Sequence, residues 1–186
     1  MIIYLEGPDG SGKSTLVDNI CDVLDEHPDI KYYNRHSRDL VPTHPKQPEI
    51  RMNEKQLFAK LRQMALSDEV HVLDRCFISD CIYRVFDDFN SVTTLHKCIE
   101  FLKKYNKKIF TIYCRTKNAE EYMLKRGDDN PIAIQKHKEL TKLYDLVMSL
   151  VSSNLEYHYF KYDFTKKRSI NELLGAINYF VAMNLD

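Results

Sequence analysis

Two stretches of this sequence combine residue types suited to moving a phosphoryl group. The first is Gly7-Pro8-Asp9-Gly10-Ser11-Gly12-Lys13-Ser14. It fits G-x-x-x-x-G-K-[ST] at every fixed position, directly after an apolar run and directly before a segment of helical period. The glycines allow a turn tight enough for successive N–H groups and a helix N-terminus to point at an anion. Lys13 is then placed to bridge the β- and γ-phosphates of ATP, and Ser14 to put its hydroxyl on Mg²⁺. Gly7, Gly10, Ser11, Gly12 and Thr15 complete the expected ATP-binding set on this loop. The second stretch is Val70-His71-Val72-Leu73-Asp74-Arg75. An apolar strand ending in a carboxylate suits Asp74 to hold Mg²⁺ opposite Ser14, through water. Arg75, at the same strand end, either pairs with Asp74 or grips a second anion, and its place at the carboxyl edge favours the anion. Phe58 and Arg62 are one helical turn apart, so ring and guanidinium share a face and can meet one ligand.

The elements that must position these groups alternate along the chain. Short β-branched or aromatic runs at about 2–6, 30–35, 69–74, 108–114 and 156–162 are separated by longer stretches of helical period. Leu16, Ile20, Val23 and Leu24 mark one apolar helix face, and Leu57, Phe58, Leu61 and Met64 another. Two helices are expected between Phe77 and Tyr105 and a short one around 119–124. A long one follows from Pro131, where proline suits a first turn, and a last one runs from about Ile170 to Met183. This order predicts an α/β fold with a five-stranded, mostly parallel sheet between two helix layers. Between His36 and Arg51, Pro42, Pro45 and Pro48 exclude a regular helix or central strand.

A chain of 186 residues, 44% of them hydrophobic, suits one domain spanning 1–186. Its 27 basic and 27 acidic residues balance, which argues against nucleic acid or an anionic membrane as partner. Cys21, Cys76, Cys81, Cys98 and Cys114 lack zinc-ligand spacing and read as reduced thiols, mainly in the core. No apolar run approaches ~18 residues and no basic leader precedes the first strand, so a cytoplasmic protein is expected.

Taken together, these residues resemble the thymidylate kinase family over essentially the whole chain. Asp9 matches the family's acid at the third P-loop position, which meets the acceptor sugar or its metal. Phe58-Ala59-Lys60-Leu61-Arg62 resembles F-x-x-x-R, whose ring stacks on the acceptor base and whose arginine reaches the base edge. The segment from Asp74 to Tyr83 resembles D-R-[YH]-x-x-S-x-x-x-Y. By that resemblance Arg75 grips the acceptor phosphate, Ser79 and Asp80 line the acceptor site and Tyr83 crowds the sugar 2′ position. Lys125-Arg126-Gly127-Asp128 occupies the place of the family's mobile lid, at about 125–131. Because Gly10 stands where some members carry a P-loop arginine, Lys125 and Arg126 become the donors of charge to the transition state. ATP is expected to lay its adenine over the turn from Phe164 to Arg168, with Lys166 and Arg168 beside it, and the resemblance implies a homodimer. Two positions depart from the pattern: Cys76 replaces an aromatic or histidine, and Asp80 stands where an amide, small polar residue or glycine is usual. An ionised Asp80 only accepts hydrogen bonds, which suits thymine N3–H but equally an exocyclic amino group.

The acceptor is a phosphate or a hydroxyl. A hydroxyl needs a base, and related kinases place a carboxylate near the end of the second strand. The corresponding stretch here, Tyr33-Asn34-Arg35-His36-Ser37-Arg38, holds none. A monophosphate needs no base but does need positive charge, which Arg35, Arg38 and Arg75 supply. The expectation is therefore ATP- and Mg-dependent transfer to a deoxynucleoside monophosphate, thymidylate or a related pyrimidine. Asp9, Asp39 and His36 keep a deoxynucleoside or DNA-hydroxyl kinase open. A nucleotide-dependent switch fits less well, since Asn106-Lys107 precedes a strand and lacks the acid of N-K-x-D.

Overall fold

The structure is a computed structural model that describes residues 1–36, 54–87, 94–125, 131–155 and 158–185. The strands are β1 (Ile2–Glu6), β2 (Tyr32–His36), β3 (Val70–Asp74), β4 (Ile109–Cys114) and β5 (Tyr159–Tyr162). The helices are α1 (Lys13–Asp25), α2 (Glu54–Leu66), α3 (Phe77–Asp87), α4 (Leu95–Lys104), α5 (Ala119–Lys125), α6 (Pro131–Asn154) and α7 (Lys167–Leu185). The expected strand from 156 is shorter in the described residues. His158 takes a left-handed φ of 59° and β5 begins after it. The last helix starts about a turn earlier than its apolar period suggested. The turn before it winds from Asp163, whose carbonyl accepts from the Lys166 amide at 3.0 Å.

All five strands are parallel, in the order β2-β3-β1-β4-β5. Side chains alternate across the sheet, as the two-residue period of a strand requires. Ile3 and Leu5 of β1, Val72 of β3 and Ile112 of β4 pack beneath α1 and α7. Ile2 and Tyr4 of β1, Leu73 of β3 and Tyr113 of β4 face α2, α3, α4 and α6. A sheet covered on both faces explains why its inner strands read as unbroken apolar runs. The carboxyl ends of β1 and β3 lie side by side, with Leu5 opposite Asp74. Gly7 onward and Arg75 onward therefore leave the same edge of the sheet, where ligands bind in open α/β folds. Among the described residues no helix is long and apolar enough to cross a membrane.

Candidate active site

The loop from Gly7 to Gly12 leaves β1 and feeds α1, and its glycines are there for geometry. Gly7, Gly10 and Gly12 have φ of 150°, 70° and 80°, values that a side chain disfavours. A Cβ on Gly7 would stand 2.2 Å from the Cys114 carbonyl oxygen, and one on Gly12 2.8 Å from the Phe164 ring. Ser11 braces the loop by donating to the Pro8 carbonyl at 2.7 Å. Lys13 is buried, and its Nζ donates to the carbonyls of Gly7 (2.9 Å) and Pro8 (2.7 Å). Burial first, and then the charge of Arg75, lower its pKa to about 8. Ser14 and Thr15, one residue further into α1, are exposed.

Asp74 ends β3 as a buried carboxylate close enough to Lys13 to stabilise its charge. Among the described residues no group of three or more His, Cys, Asp or Glu side chains forms a cation cage. Mg²⁺ bound with a nucleotide does not need one, since it keeps several waters and takes one or two carboxylates beside the phosphates. Ser14 and Asp74 fit that requirement.

Arg75 is one of two non-glycine residues in the described chain with a left-handed φ, here 62°. Its Nη2 donates to Asp9 Oδ1 at 2.6 Å and its Nη1 to the Tyr83 hydroxyl at 3.0 Å. Tyr83 in turn donates to Asp9 Oδ2 at 3.4 Å, closing a triangle between the P-loop, the end of β3 and α3. Arg75 therefore pairs with Asp9 rather than with its neighbour Asp74. Its buried Nε has no hydrogen-bond partner among the described residues. Asp9 is exposed, and although partial desolvation opposes its ionisation, the charges of Arg75 and Lys13 outweigh that and hold its pKa below the usual carboxylate range.

Behind this triangle lies a group that pattern reading missed. Glu6, the last residue of β1, is fully buried on the same face as Tyr4. Its carboxylate accepts from the hydroxyls of Tyr4 and Ser79 and from the amides of Cys76 (3.3 Å) and Ser79 (3.0 Å). Ser79 also meets the Tyr144 hydroxyl of α6 at 2.7 Å, so its hydroxyl is engaged inside the protein. Desolvation raises the Glu6 pKa against these hydrogen bonds. A carboxylate closing the apolar run Ile-Ile-Tyr-Leu was the available signal. His137 of α6 was missed as well. It is buried, with Nε2 2.8 Å from the Asp9 carbonyl oxygen, an acceptor that requires the proton on Nε2.

The remaining expected residues are more dispersed. Phe58 is half-buried among Phe77 and Phe101, with ring centroids 6.2 and 5.3 Å away, and Arg62 one turn on is exposed. Asp80 is half-buried in the first turn of α3. Phe164 lies against Gly12 and packs edge-on against Tyr122 at 4.7 Å, while Lys166 and Arg168 are exposed on the same turn. Lys125 is exposed at the end of α5, its Nζ 5.3 Å from the Tyr122 ring centroid. Arg126, Gly127, Asp128, Arg38 and Asp39 lie outside the described residues, as do the side chains of Arg35 and His36.

No family model matches the chain, and no curated protein matches it significantly. Solved structures do match along nearly its whole length. The YorR protein from Bacillus subtilis, in complex with phosphorylated GDP, is 23% identical with a TM-score of 0.65, covering 98% of this chain and 96% of that one. Deoxyadenosine kinase from M. mycoides, with products dCMP and dCDP, is 20% identical at a TM-score of 0.54, covering 96% and 100%. Shikimate kinase from Aquifex aeolicus is 18% identical at 0.52, covering 96% and 97%. At such identities the likeness is one of fold, and the chain has a three-layer α/β/α P-loop fold in common with these structures.

Proposed function

We propose that this chain is a kinase that transfers the γ-phosphoryl group of ATP to a deoxynucleoside monophosphate, thymidylate or a related pyrimidine nucleotide. The observation that carries this reading is Arg75. It is an arginine in a left-handed turn at the carboxyl edge of the sheet, oriented by Asp9 and Tyr83, with its buried Nε unpartnered among the described residues. A guanidinium held this way suits an anion that must sit close to the donor phosphates.

Lys13 and the loop amides hold the donor phosphates, with adenine against the turn that carries Phe164, Lys166 and Arg168. Ser14 and Asp74 would hold Mg²⁺, which would supply positive charge to the transferring phosphates. Arg75 offsets the repulsion between acceptor and donor, and Tyr83 lies beside it where the acceptor sugar would pass. Lys125 and Arg126 close over the migrating charge and exclude water, because positioning and electrostatics supply nearly all the catalysis in this chemistry.

A hydroxyl-phosphorylating reading has support in the names of two fold neighbours, deoxyadenosine kinase and shikimate kinase. It requires a general base. Asp9 is a poor one, since Arg75 and Lys13 depress its pKa and Arg75 occupies one of its oxygens. Glu6 is sealed from solvent by four donors. The deciding experiment incubates the protein with ATP, Mg²⁺ and a panel of deoxynucleosides and their monophosphates, with product analysis. Nucleoside diphosphates formed preferentially from pyrimidine monophosphates are expected; monophosphates formed from nucleosides, or inorganic phosphate alone, would refute the reading.

A further inference from the structure

Arg75 sits in a conformation that side chains other than glycine disfavour, and such residues persist only where their surroundings over-determine them. Its guanidinium end is held by Asp9 and Tyr83. Its backbone end is held from β1. The Arg75 amide donates to the Leu5 carbonyl at 2.9 Å, extending the sheet by one bond past Asp74. The chain then turns, and the next amide, of Cys76, meets Glu6, as does that of Ser79 within the first turn of α3.

We propose that Glu6 is the positioning residue of the Arg75 arm: by gripping the amides of Cys76, just before α3, and of Ser79, in its first turn, it fixes the left-handed turn that aims the guanidinium at the acceptor phosphate. The proposal rests on the monophosphate kinase reading for its functional half, and on geometry alone for its structural half. Tyr4 and Glu6 share a face of β1, so the strand that launches the P-loop also anchors the segment carrying Arg75. Donor cradle and acceptor arm are thereby tied to one rigid strand. A carboxylate suits this place because a helix N-terminus presents unpaired amides and positive potential. A core position that only needed filling would take an apolar side chain without the desolvation cost of a buried acid. Ser79 adds a second tie, bridging Glu6 to Tyr144 on α6. Glu6 touches no ligand in this account and acts through Arg75.

The test compares Glu6→Ala and Glu6→Gln, each alone and combined with Arg75→Ala, using ATP and thymidine monophosphate. Glu6→Ala should lower kcat/KM for thymidine monophosphate by at least about tenfold, as expected when a charge-assisted contact loses its geometry. The KM for ATP should change by no more than about twofold, because the donor cradle keeps its own braces. Glu6→Gln should recover most of the loss, since its amide oxygen still accepts from both backbone amides and its NH₂ can donate to Ser79. In the Arg75→Ala background, Glu6→Ala should add less than about threefold, the mark of two residues acting as one unit. A crystal structure of Glu6→Ala should show Arg75 out of the left-handed region and parted from Asp9. Should that variant fail to fold, Glu6→Asp, which pulls the carboxylate back from the amides, takes its place in every comparison. Equal losses in both Arg75 backgrounds, a parallel rise in the KM for ATP, or Arg75 unmoved in the crystal would each overturn the proposal. If wild type does not phosphorylate thymidine monophosphate, the functional reading falls on its own and the crystal structure alone decides what Glu6 does.

Discussion

On the proposed donor side, eight consecutive residues from Gly7 to Ser14 carry the loop, the lysine and the hydroxyl assigned to the metal, and the loop braces itself through Ser11 and Lys13. On the proposed acceptor side most ties are long-range, the Arg75–Tyr83 bond across eight positions excepted. Arg75 reaches Asp9 across 66 positions of sequence and Tyr83 reaches it across 74. The turn carrying Arg75 hangs on a glutamate 70 residues upstream of Cys76. The proposed donor site is thus a contiguous motif, although Gly7 and Gly12 still pack against the Cys114 carbonyl and the Phe164 ring. The acceptor site is a tertiary arrangement whose precision depends on β1, β3, α3 and α6 meeting correctly. Damage to the first should abolish chemistry outright, whereas damage to the second should change what is bound and how well.

The largest effect should come from Lys13→Ala. Loss of the ammonium on the transferring phosphates should lower kcat/KM by on the order of 10³ or more. Circular dichroism should still show a folded protein, and activity within about tenfold of wild type would dismiss the P-loop assignment. Next, Lys125→Ala combined with Arg126→Ala should lower kcat by roughly 10³, by analogy with arginine fingers, and should leave acceptor affinity nearly intact. A change confined to the acceptor KM would remove these residues from the chemistry and enlarge the acceptor side instead.

A smaller, graded effect should appear with pH. Burial and the neighbouring Arg75 lower the Lys13 ammonium from 10.5 to about 8. Because the charged form is lost as pH rises through that value, kcat/KM for ATP should fall about tenfold per unit above it. The acceptor arm keeps its charge, since attraction to the surrounding hydroxyls and Asp9 outweighs burial and raises the Arg75 pKa further. A flat profile to pH 10 would contradict the buried lysine geometry. The smallest effect should be that of Asp80→Asn, which adds a donor at a half-buried position of α3. Relative turnover of the pyrimidine and purine monophosphates should shift by a few-fold, roughly one hydrogen bond's worth. No shift would leave Asp80 as an acid serving only the helix N-terminus.

How legible each half was follows the same division. The P-loop, the Asp74 strand end and all five strands were readable because each is a local pattern of composition and period. So was the Pro131 start of α6. Glu6 was not, because a glutamate ending an apolar strand carries no sign of the Tyr4, Cys76 and Ser79 donors that close around it. Ser79 was expected beside the acceptor, and the structure shows its hydroxyl engaged by Glu6 and Tyr144. Phe58 illustrates the same limit. Its spacing to Arg62 was legible, but its company, Phe77 and Phe101, depends on how α2, α3 and α4 pack.

If Arg75 holds a phosphate on the acceptor, as we propose, Arg75→Ala should expose that contact. Removing a charge-assisted contact to a buried anion costs on the order of 2–5 kcal/mol. Steady-state kinetics of wild type and Arg75→Ala, each on thymidine and on thymidine monophosphate, isolate that contact. Wild type should prefer the monophosphate, and the substitution should lower its turnover by well over about tenfold while sparing thymidine in proportion. A wild-type preference for thymidine, or equal losses on both substrates, would contradict the proposal.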